Sequence, residues 1–217
     1  AANVQSSHET ALSAMKKGIR YCMAAVPIRE LLAAEFVVGF CTISVNLAFY
    51  PFAFDILKVT AKGWGMMITA YYGANLLAMF IAGQMDSRPD KGDARTFYSC
   101  LAAAAVIWIL YAFTKTYEAV LMLQFAEGTI IAVSGIILAA RFQVAADREY
   151  MARVTAFSDM MAGLGKLAGM VVTSVLIRKC SLIGVFIVCG ILMLIFAVNG
   201  SAKPAWAPDR RSCRANQ

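Results

Sequence analysis

The sequence predicts an all-α, polytopic membrane protein with six transmembrane helices. Hydrophobic residues make up 60% of the 217 residues, only 15% are charged, and the mean hydropathy is +0.67, well above the balance of a soluble domain. Six apolar segments are long enough to cross a bilayer, which takes about 20 residues. They lie near residues 30–53, 64–85, 96–114, 117–140, 154–177 and 180–199. Strands are excluded because unpaired backbone in lipid requires helices or a closed barrel, whose strands would be about half this length.

The segment before the first span has a one-sided apolar pattern. A helix would place Leu12, Met15, Ile19, Cys22 and Val26 on one face, with Lys16, Lys17 and Arg20 outside that stripe. We expect an amphipathic helix on the membrane surface that ends at Pro27; the alternative is a flexible linker with a chance periodicity. The predicted organisation is a cytoplasmic amphipathic segment (1–28), a six-helix domain (29–199) and a basic cytoplasmic tail (200–217).

Ionisable residues inside the apolar spans are the main functional candidates. They are Glu35, Glu127, Asp159 and Lys166. Each costs about 2.5–3.5 kcal/mol or more at the centre of a helix, so such groups usually face a cavity or a partner. Glu35 and Asp159 lie near predicted cytoplasmic ends and could instead reach headgroup water.

Glu127 and Lys166 both lie near mid-depth. At 1.5 Å per residue, Glu127 is about 15 Å from the predicted outer start of its span, and Lys166 is about 18 Å from the predicted inner start of the next. Consecutive antiparallel helices are commonly neighbours. We therefore expect Glu127 and Lys166 to face each other or share one cavity, with Asp159 a poorer partner for Lys166. The alternative is that Lys166 faces a separate cavity.

The fifth span also carries a small-residue face. Gly165 and Gly169 form a GxxxG pair, which permits close helix contact. Packing within the fold is favoured over a dimer interface.

The distribution of Lys and Arg predicts the orientation. Fourteen lie on one side of the spans, five lie on the other, and Lys166 lies within a span. Because cytoplasmic loops carry the excess of positive charge, both termini are predicted to be cytoplasmic. The side with five holds Lys58, Lys62, Lys115, Arg178 and Lys179. This distribution also explains the net charge of +7 without nucleic-acid binding.

Several other chemistries are excluded by missing residues. An intramembrane serine protease needs a histidine base, and the only histidine, His8, lies outside the spans. No arginine-rich voltage sensor, TVGYG filter or GxxxxGK[ST] loop occurs. The six cysteines lack the spacing of a zinc site or disulfide framework, so free thiols are expected. We therefore predict no enzyme activity, no metal and no cofactor.

Three stretches carry a resemblance to a known family. They are KKGIRYCMAAVPIRELLAAEF, FDILKVTAKGWGMMITAYYGANLLAMFIAGQ and RVTAFSDMMAGLGKLAGMVVTSVLI. They resemble the C-terminal six-helix half of major facilitator superfamily transporters, in the branch of bacterial efflux proteins that includes the enterobactin exporter. The family's loop motif is matched in part by GQMDSRPDKGDAR, where Gly83 and Arg88 fit but Asp86 lies one position early.

The resemblance implies a fold and a function. The fold would be two inverted three-helix repeats, one half of a transporter built around a central cavity. The function would be proton-coupled export of a small molecule, such as a siderophore, drug or peptide antibiotic, across a bacterial inner membrane. Cavity candidates are Glu35, Asn46 and Glu127. An N-terminal six-helix half or a second copy would supply the other wall. The alternative is a non-transporting membrane subunit or an inactive truncated half.

Overall fold

Six long helices form the fold. The computed structural model describes residues 19–84, 92–179 and 181–202, and no strand occurs within these ranges. The helices are α1 (Val26–Pro51), α2 (Ala61–Gln84), α3 (Gly92–Phe113), α4 (Tyr117–Ala145), α5 (Met151–Lys179) and α6 (Leu182–Ala202). All six are long and apolar enough to cross a membrane, which confirms the six predicted spans.

The first helix is longer than predicted because it continues past Pro51 as a π-helical turn, Phe52–Ile56. Leu57 N–H donates to the carbonyl of Phe52 at 3.1 Å, five residues back, which is the bond that defines such a turn. Lys58, with φ of 52°, then takes a left-handed conformation that ends the helix. The continuous helical segment therefore runs from Val26 to Ile56, 31 residues in all.

A short helical segment, residues 19–24, precedes α1. Ala25 separates the two with an extended backbone (φ −83°, ψ 108°), and Pro27 lies in the first turn of α1. The preceding helix therefore ends at Ala24, just before Pro27, and Pro27 itself belongs to the next helix. The first turn tolerates proline because its N–H has no partner there. Of the expected apolar stripe, Cys22 is buried whereas Ile19 and Val26 are exposed; Leu12 and Met15 lie outside the described residues.

The segment 19–24 is attached to the turn between α4 and α5. The ring of Tyr21 stacks on that of Tyr150, with centroids 4.4 Å apart and planes 10° from parallel. The Tyr21 hydroxyl donates to Asp147 Oδ2 at 2.9 Å and accepts from the Asp147 N–H at 3.1 Å. The Arg153 guanidinium lies 5.5 Å from the centre of the Tyr150 ring. We refer to these contacts as the Tyr21 latch.

Helices pack in three principal pairs: α1 with α5, α2 with α4, and α3 with α6. The pairs α3–α4 and α1–α6 make the next most extensive contacts. Replacing α1 by α4, α2 by α5 and α3 by α6, and the reverse, turns the pair α1–α5 into α2–α4 and the pair α3–α4 into α1–α6. The pair α3–α6 is unchanged, so the same five pairs result. The described helices therefore form two inverted three-helix repeats, as expected for half of a major facilitator fold.

Glycines allow the closest of these approaches. The space where a Gly39 side chain would begin lies 2.8 Å from the carbonyl oxygen of Ala162, where α1 crosses α5. Gly165 meets the backbone of Phe36 in the same interface. Gly128 meets the backbone of Tyr71 where α4 crosses α2. The expected packing role of the small residues on α5 is thus confirmed for Gly165, since only a hydrogen fits against a neighbouring backbone.

Aromatic side chains fill one end of the bundle, where α1, α3 and α5 end. We call it the aromatic end. Phe49 packs against Tyr111, with centroids 5.2 Å apart, and against Trp64 at 6.0 Å. Phe52 and Phe186 meet edge to face at 5.3 Å. These contacts join α1, α2, α3 and α6 around a core that reaches the middle of α4.

Candidate functional site

The most enclosed carboxyl group of the described spans is that of Glu127, near the middle of α4. Its side chain is only 5% exposed. Oε1 accepts a hydrogen bond from Trp108 Nε1 at 2.6 Å, and Oε2 accepts one from the Tyr111 hydroxyl at 2.7 Å. Each carboxylate oxygen therefore has its own donor.

Both donors come from α3 because of their spacing. Trp108 and Tyr111 are three residues apart, so they share one face of the helix, and both are fully buried. The Tyr111 ring also contacts Phe49 and Phe186, with centroids 5.2 and 5.8 Å away. Tyr111 thus joins the carboxylate to the aromatic end of the bundle, and the surrounding rings fix its orientation.

The α2 side of the site is formed by a close backbone approach. Gly128 allows the Tyr71 backbone to reach α4, and Asn75 Nδ2 donates to the Gly128 carbonyl at 3.4 Å. The half-buried Tyr71 hydroxyl interacts electrostatically with both Glu127 and Tyr111. Among the described residues, the groups that act on the Glu127 carboxyl are neutral and no Lys or Arg is among them.

The predicted pairing of Glu127 with Lys166 is wrong. Glu127 bonds to residues of α3, whereas the Lys166 side chain on α5 is exposed. The reason lies in the topology. Although α4 and α5 are consecutive, α4 packs mainly on α2 and α3, and α5 packs mainly on α1.

A second polar group lies where α1 meets α5. Glu35 is half-buried, and its Oε1 accepts a hydrogen bond from the Ser158 hydroxyl at 3.3 Å. Asp159 and Lys166, both exposed on α5, act electrostatically on this carboxylate. The structure therefore groups Glu35 with Asp159 and Lys166 and keeps Glu127 apart from them.

The other predicted site residues lie elsewhere. Asn46 is exposed on α1 and donates to the Thr42 carbonyl of its own helix at 2.9 Å. Eleven residues separate Asn46 from Glu35, about 16 Å along the helix. Gly83 is exposed near the end of α2, whereas Asp86 and Arg88 lie outside the described residues.

Sequence reasoning did not identify Trp108, Tyr111 or Tyr71. All three are uncharged, so the search for ionisable residues passed over them. One signal was present: Trp108 and Tyr111 are the two residues with polar tips on one face of an apolar span, and such tips need a partner when buried.

Cys22, Cys41, Cys100 and Cys189 are free thiols, as expected for these four. Within the described ranges, no group of three or more His, Cys, Asp or Glu side chains is placed to hold a metal ion.

Six helices that are long and apolar enough to cross a membrane, packed as an inverted repeat, are the architecture of an integral membrane protein. The model of the Major Facilitator Superfamily matches residues 31–216, nearly the whole chain. The chain therefore belongs to this superfamily, whose members are transporters and not enzymes. No curated protein and no solved structure matches it.

Proposed function

We propose that this chain is a six-helix half of a proton-coupled exporter in which Glu127 carries the proton. The observation behind the proposal is the environment of Glu127, which is buried between two neutral donors with no cation among the described groups that act on it. A carboxyl neutralised by a fixed Lys or Arg would have little reason to bind a proton. One surrounded by neutral groups can change its charge during a transport cycle.

The substrate class and direction rest on the resemblance of three sequence stretches to the enterobactin-exporter-like branch. We propose export of a siderophore, drug or peptide antibiotic across a bacterial inner membrane, with both termini in the cytoplasm. The substrate contacts we favour are on the α1–α5 face, where Glu35, Asp159 and Lys166 lie together. Asn46 extends this face toward the aromatic end of α1.

A second six-helix unit is part of the proposal. Lys166 is exposed near the centre of its span, where contact with lipid would cost about 2.5–3.5 kcal/mol or more. Asp159 is also exposed and lies nearer the predicted cytoplasmic end of the same helix. A water-filled cavity between two six-helix units would hydrate them. The second unit is an N-terminal half or another copy of this chain.

Transport in vesicles tests the proposal. The chain alone and the product of its whole open reading frame would each be reconstituted in vesicles that contain a pH-sensitive dye. Labelled siderophore, cationic drug and peptide antibiotic would serve as test substrates. We expect substrate movement to release or consume internal protons. In Glu127→Gln, we expect exchange of substrate across the membrane to persist while its coupling to protons is lost.

The matched control is Glu118→Gln, an exposed carboxylate in the first turn of the same helix, which should behave as the unchanged protein. If neither preparation transports any substrate, the alternative of a non-transporting subunit is favoured. If Glu127→Gln transports with full proton coupling, Glu127 is not the carrier.

A further inference from the structure

We infer that Tyr111 is the positioning residue that allows the Glu127 site to hold the carboxyl in both protonation states. The inference rests on the proposed proton-carrying role of Glu127. It assigns different tasks to the two donors of the site: Trp108 is a fixed donor, and Tyr111 is a reversible one.

The difference follows from the chemistry of the two groups. An indole N–H can only donate, whereas a phenolic hydroxyl can donate or accept. With Glu127 ionised, Trp108 donates to Oε1 and Tyr111 donates to Oε2, at 2.6 and 2.7 Å. Both donors are then satisfied, and so are both oxygens.

Protonation changes only one of these bonds. The added proton forms an O–H bond at Oε2, since Oε1 faces an N–H that cannot accept. The new Oε2–H then donates to the Tyr111 oxygen, and the Tyr111 hydrogen rotates away from the carboxyl. The bond from Trp108 to Oε1 stays in place. One set of positions for Glu127, Trp108 and Tyr111 thus serves both states, and within this trio only the hydroxyl hydrogens move.

The displaced Tyr111 hydrogen needs an acceptor, because an unpaired buried donor costs about 1–3 kcal/mol. Tyr71 on α2 is the next polar group, and its hydroxyl interacts electrostatically with Tyr111 and Glu127. The two hydroxyls are not hydrogen-bonded to each other in the described structure, so the Tyr71 side chain has to shift for its oxygen to accept the hydrogen. The titratable groups that act on the carboxyl are therefore Tyr111 from α3 and Tyr71 from α2. On the described residues, no other acid or base does so.

Infrared spectroscopy of the full chain in vesicles tests the inference. On acidification we expect a carboxylic C=O band that is missing in Glu127→Gln and is therefore assigned to Glu127. In Tyr111→Phe, this band should move to higher frequency because the carboxyl O–H has lost its acceptor. In the control Tyr72→Phe, which removes an exposed hydroxyl beside Tyr71, the band should not move.

Each outcome of the infrared experiment supports or overturns the inference. A band that is unchanged in Tyr111→Phe overturns the inference and leaves the proton-carrying role of Glu127 intact. If no band is lost in Glu127→Gln, the carboxyl keeps one protonation state, and both the inference and that role fail. Should Tyr111→Phe not fold, isotope-labelled tyrosine in the unchanged chain gives the answer. The tyrosine C–O band would then split into donor and acceptor forms with pH, and Glu127→Gln would abolish the change.

Discussion

At the scale of single residues, the ionisable groups of the spans differ in how their charge is stabilised. Glu127 is enclosed and bonded by Trp108 and Tyr111. Glu35 receives one longer bond from Ser158, and Asp159 and Lys166 are exposed. The stabilisation of a buried charge such as that of Glu127 depends on the neutral groups that donate hydrogen bonds to it. A charge on an exposed face depends on water or on another protein surface.

Replacement of Glu127 by Ala should destabilise the fold much more than replacement by Gln. Alanine leaves the buried Trp108 and Tyr111 donors unpaired, at about 1–3 kcal/mol each. Glutamine keeps an oxygen for Trp108 and offers an N–H to the Tyr111 oxygen, so a loss below about 1.5 kcal/mol is expected. Unfolding by denaturing detergent measures both. Equal losses for the two variants would show that these hydrogen bonds contribute little.

The sequence was sufficient to identify Glu127 but not its partners. Its distance from the start of the span placed it near mid-depth, and the structure agrees that it lies near the middle of α4. Which residues face it depends on the neighbouring helix and on its rotation. The sequence suggested Lys166 because both residues lie near mid-depth on consecutive antiparallel helices, which are commonly neighbours. Trp108 and Tyr111 instead reach Glu127 because α3 packs on α4.

At the scale of helices, close backbone contact replaces one-sided hydrophobicity as the basis of packing. The spans are apolar around their whole circumference, so their sequences do not indicate which face is buried. This is why the six spans could be predicted and their neighbours could not. Glycines give the missing information: Gly39, Gly128 and Gly165 all meet the backbone of another helix.

Gly128→Ala should weaken the contact between α2 and α4. The added methyl would meet the Tyr71 backbone, which cannot move aside like a flexible side chain, and a loss on the order of 1–3 kcal/mol is expected. Gly73→Ala in α2 is the matched control because no atom lies within 4 Å of the new methyl. It should be neutral or stabilise by up to about 1 kcal/mol. Detergent unfolding compares them; equal stability would mean that the close approach is not required.

The Tyr21 latch should open when its hydroxyl is removed. Tyr21→Phe keeps the stacking on Tyr150 but loses both hydrogen bonds to Asp147. At about 0.5–1.5 kcal/mol for each of the two bonds, trypsin cleavage after Arg20 should be faster by about 5- to 150-fold. Mass spectrometry of the fragments measures this. In the control Tyr72→Phe, which changes an exposed residue distant in sequence, trypsin should cleave after Arg20 as fast as in the unchanged protein.

The same latch should weaken at alkaline pH. Burial raises the pKa of Tyr21 above its ordinary value of 10.0; the Asp147 N–H lowers it and the Asp147 carboxylate raises it. A raised pKa means that attachment favours the neutral phenol. The contribution of the neutral Tyr21 phenol to the stability of the latch is complete below the ordinary pKa. It is lost as the pH rises through the higher pKa of the attached state. The difference in tyrosinate absorbance between the unchanged protein and Tyr21→Phe should show a late-titrating tyrosine. A transition at or below pH 10 would contradict this.

At the scale of the whole molecule, the number of spans and their alternation could be predicted because bilayer thickness fixes the length of an apolar helix. The inverted repeat was expected only through family resemblance, since the two halves share little sequence pattern. The packing of the described helices shows the inverted repeat independently of the resemblance. Each helix pair has an equivalent pair when α1–α3 and α4–α6 change places.

Orientation in the membrane remains a prediction of the charge distribution. Tags at the N-terminus, near Asp90, near Glu149 and after Pro208 should report the cytoplasm, because fourteen Lys and Arg lie on that side. Sites near Val59 and Arg178, at the aromatic end, should be labelled from outside. Impermeant thiol labelling of single-cysteine variants measures each site. A C-terminal tag that is labelled from outside would reverse the assignment.

The exchange of partners between repeats also affects how the protein can be made. Within the described residues, α1, α2 and α3 have few contacts with one another, and their main partners are α5, α4 and α6. When only α1, α2 and α3 of these six helices have been synthesised, few of their close backbone contacts can have formed, although the rings of Phe49, Trp64 and Tyr111 can already meet. The early helices must wait in the bilayer until their partners arrive, and assembly proceeds largely after synthesis. During that interval Trp108 and Tyr111 are already in the membrane before Glu127, so their polar groups need temporary partners in lipid, water or the insertion machinery.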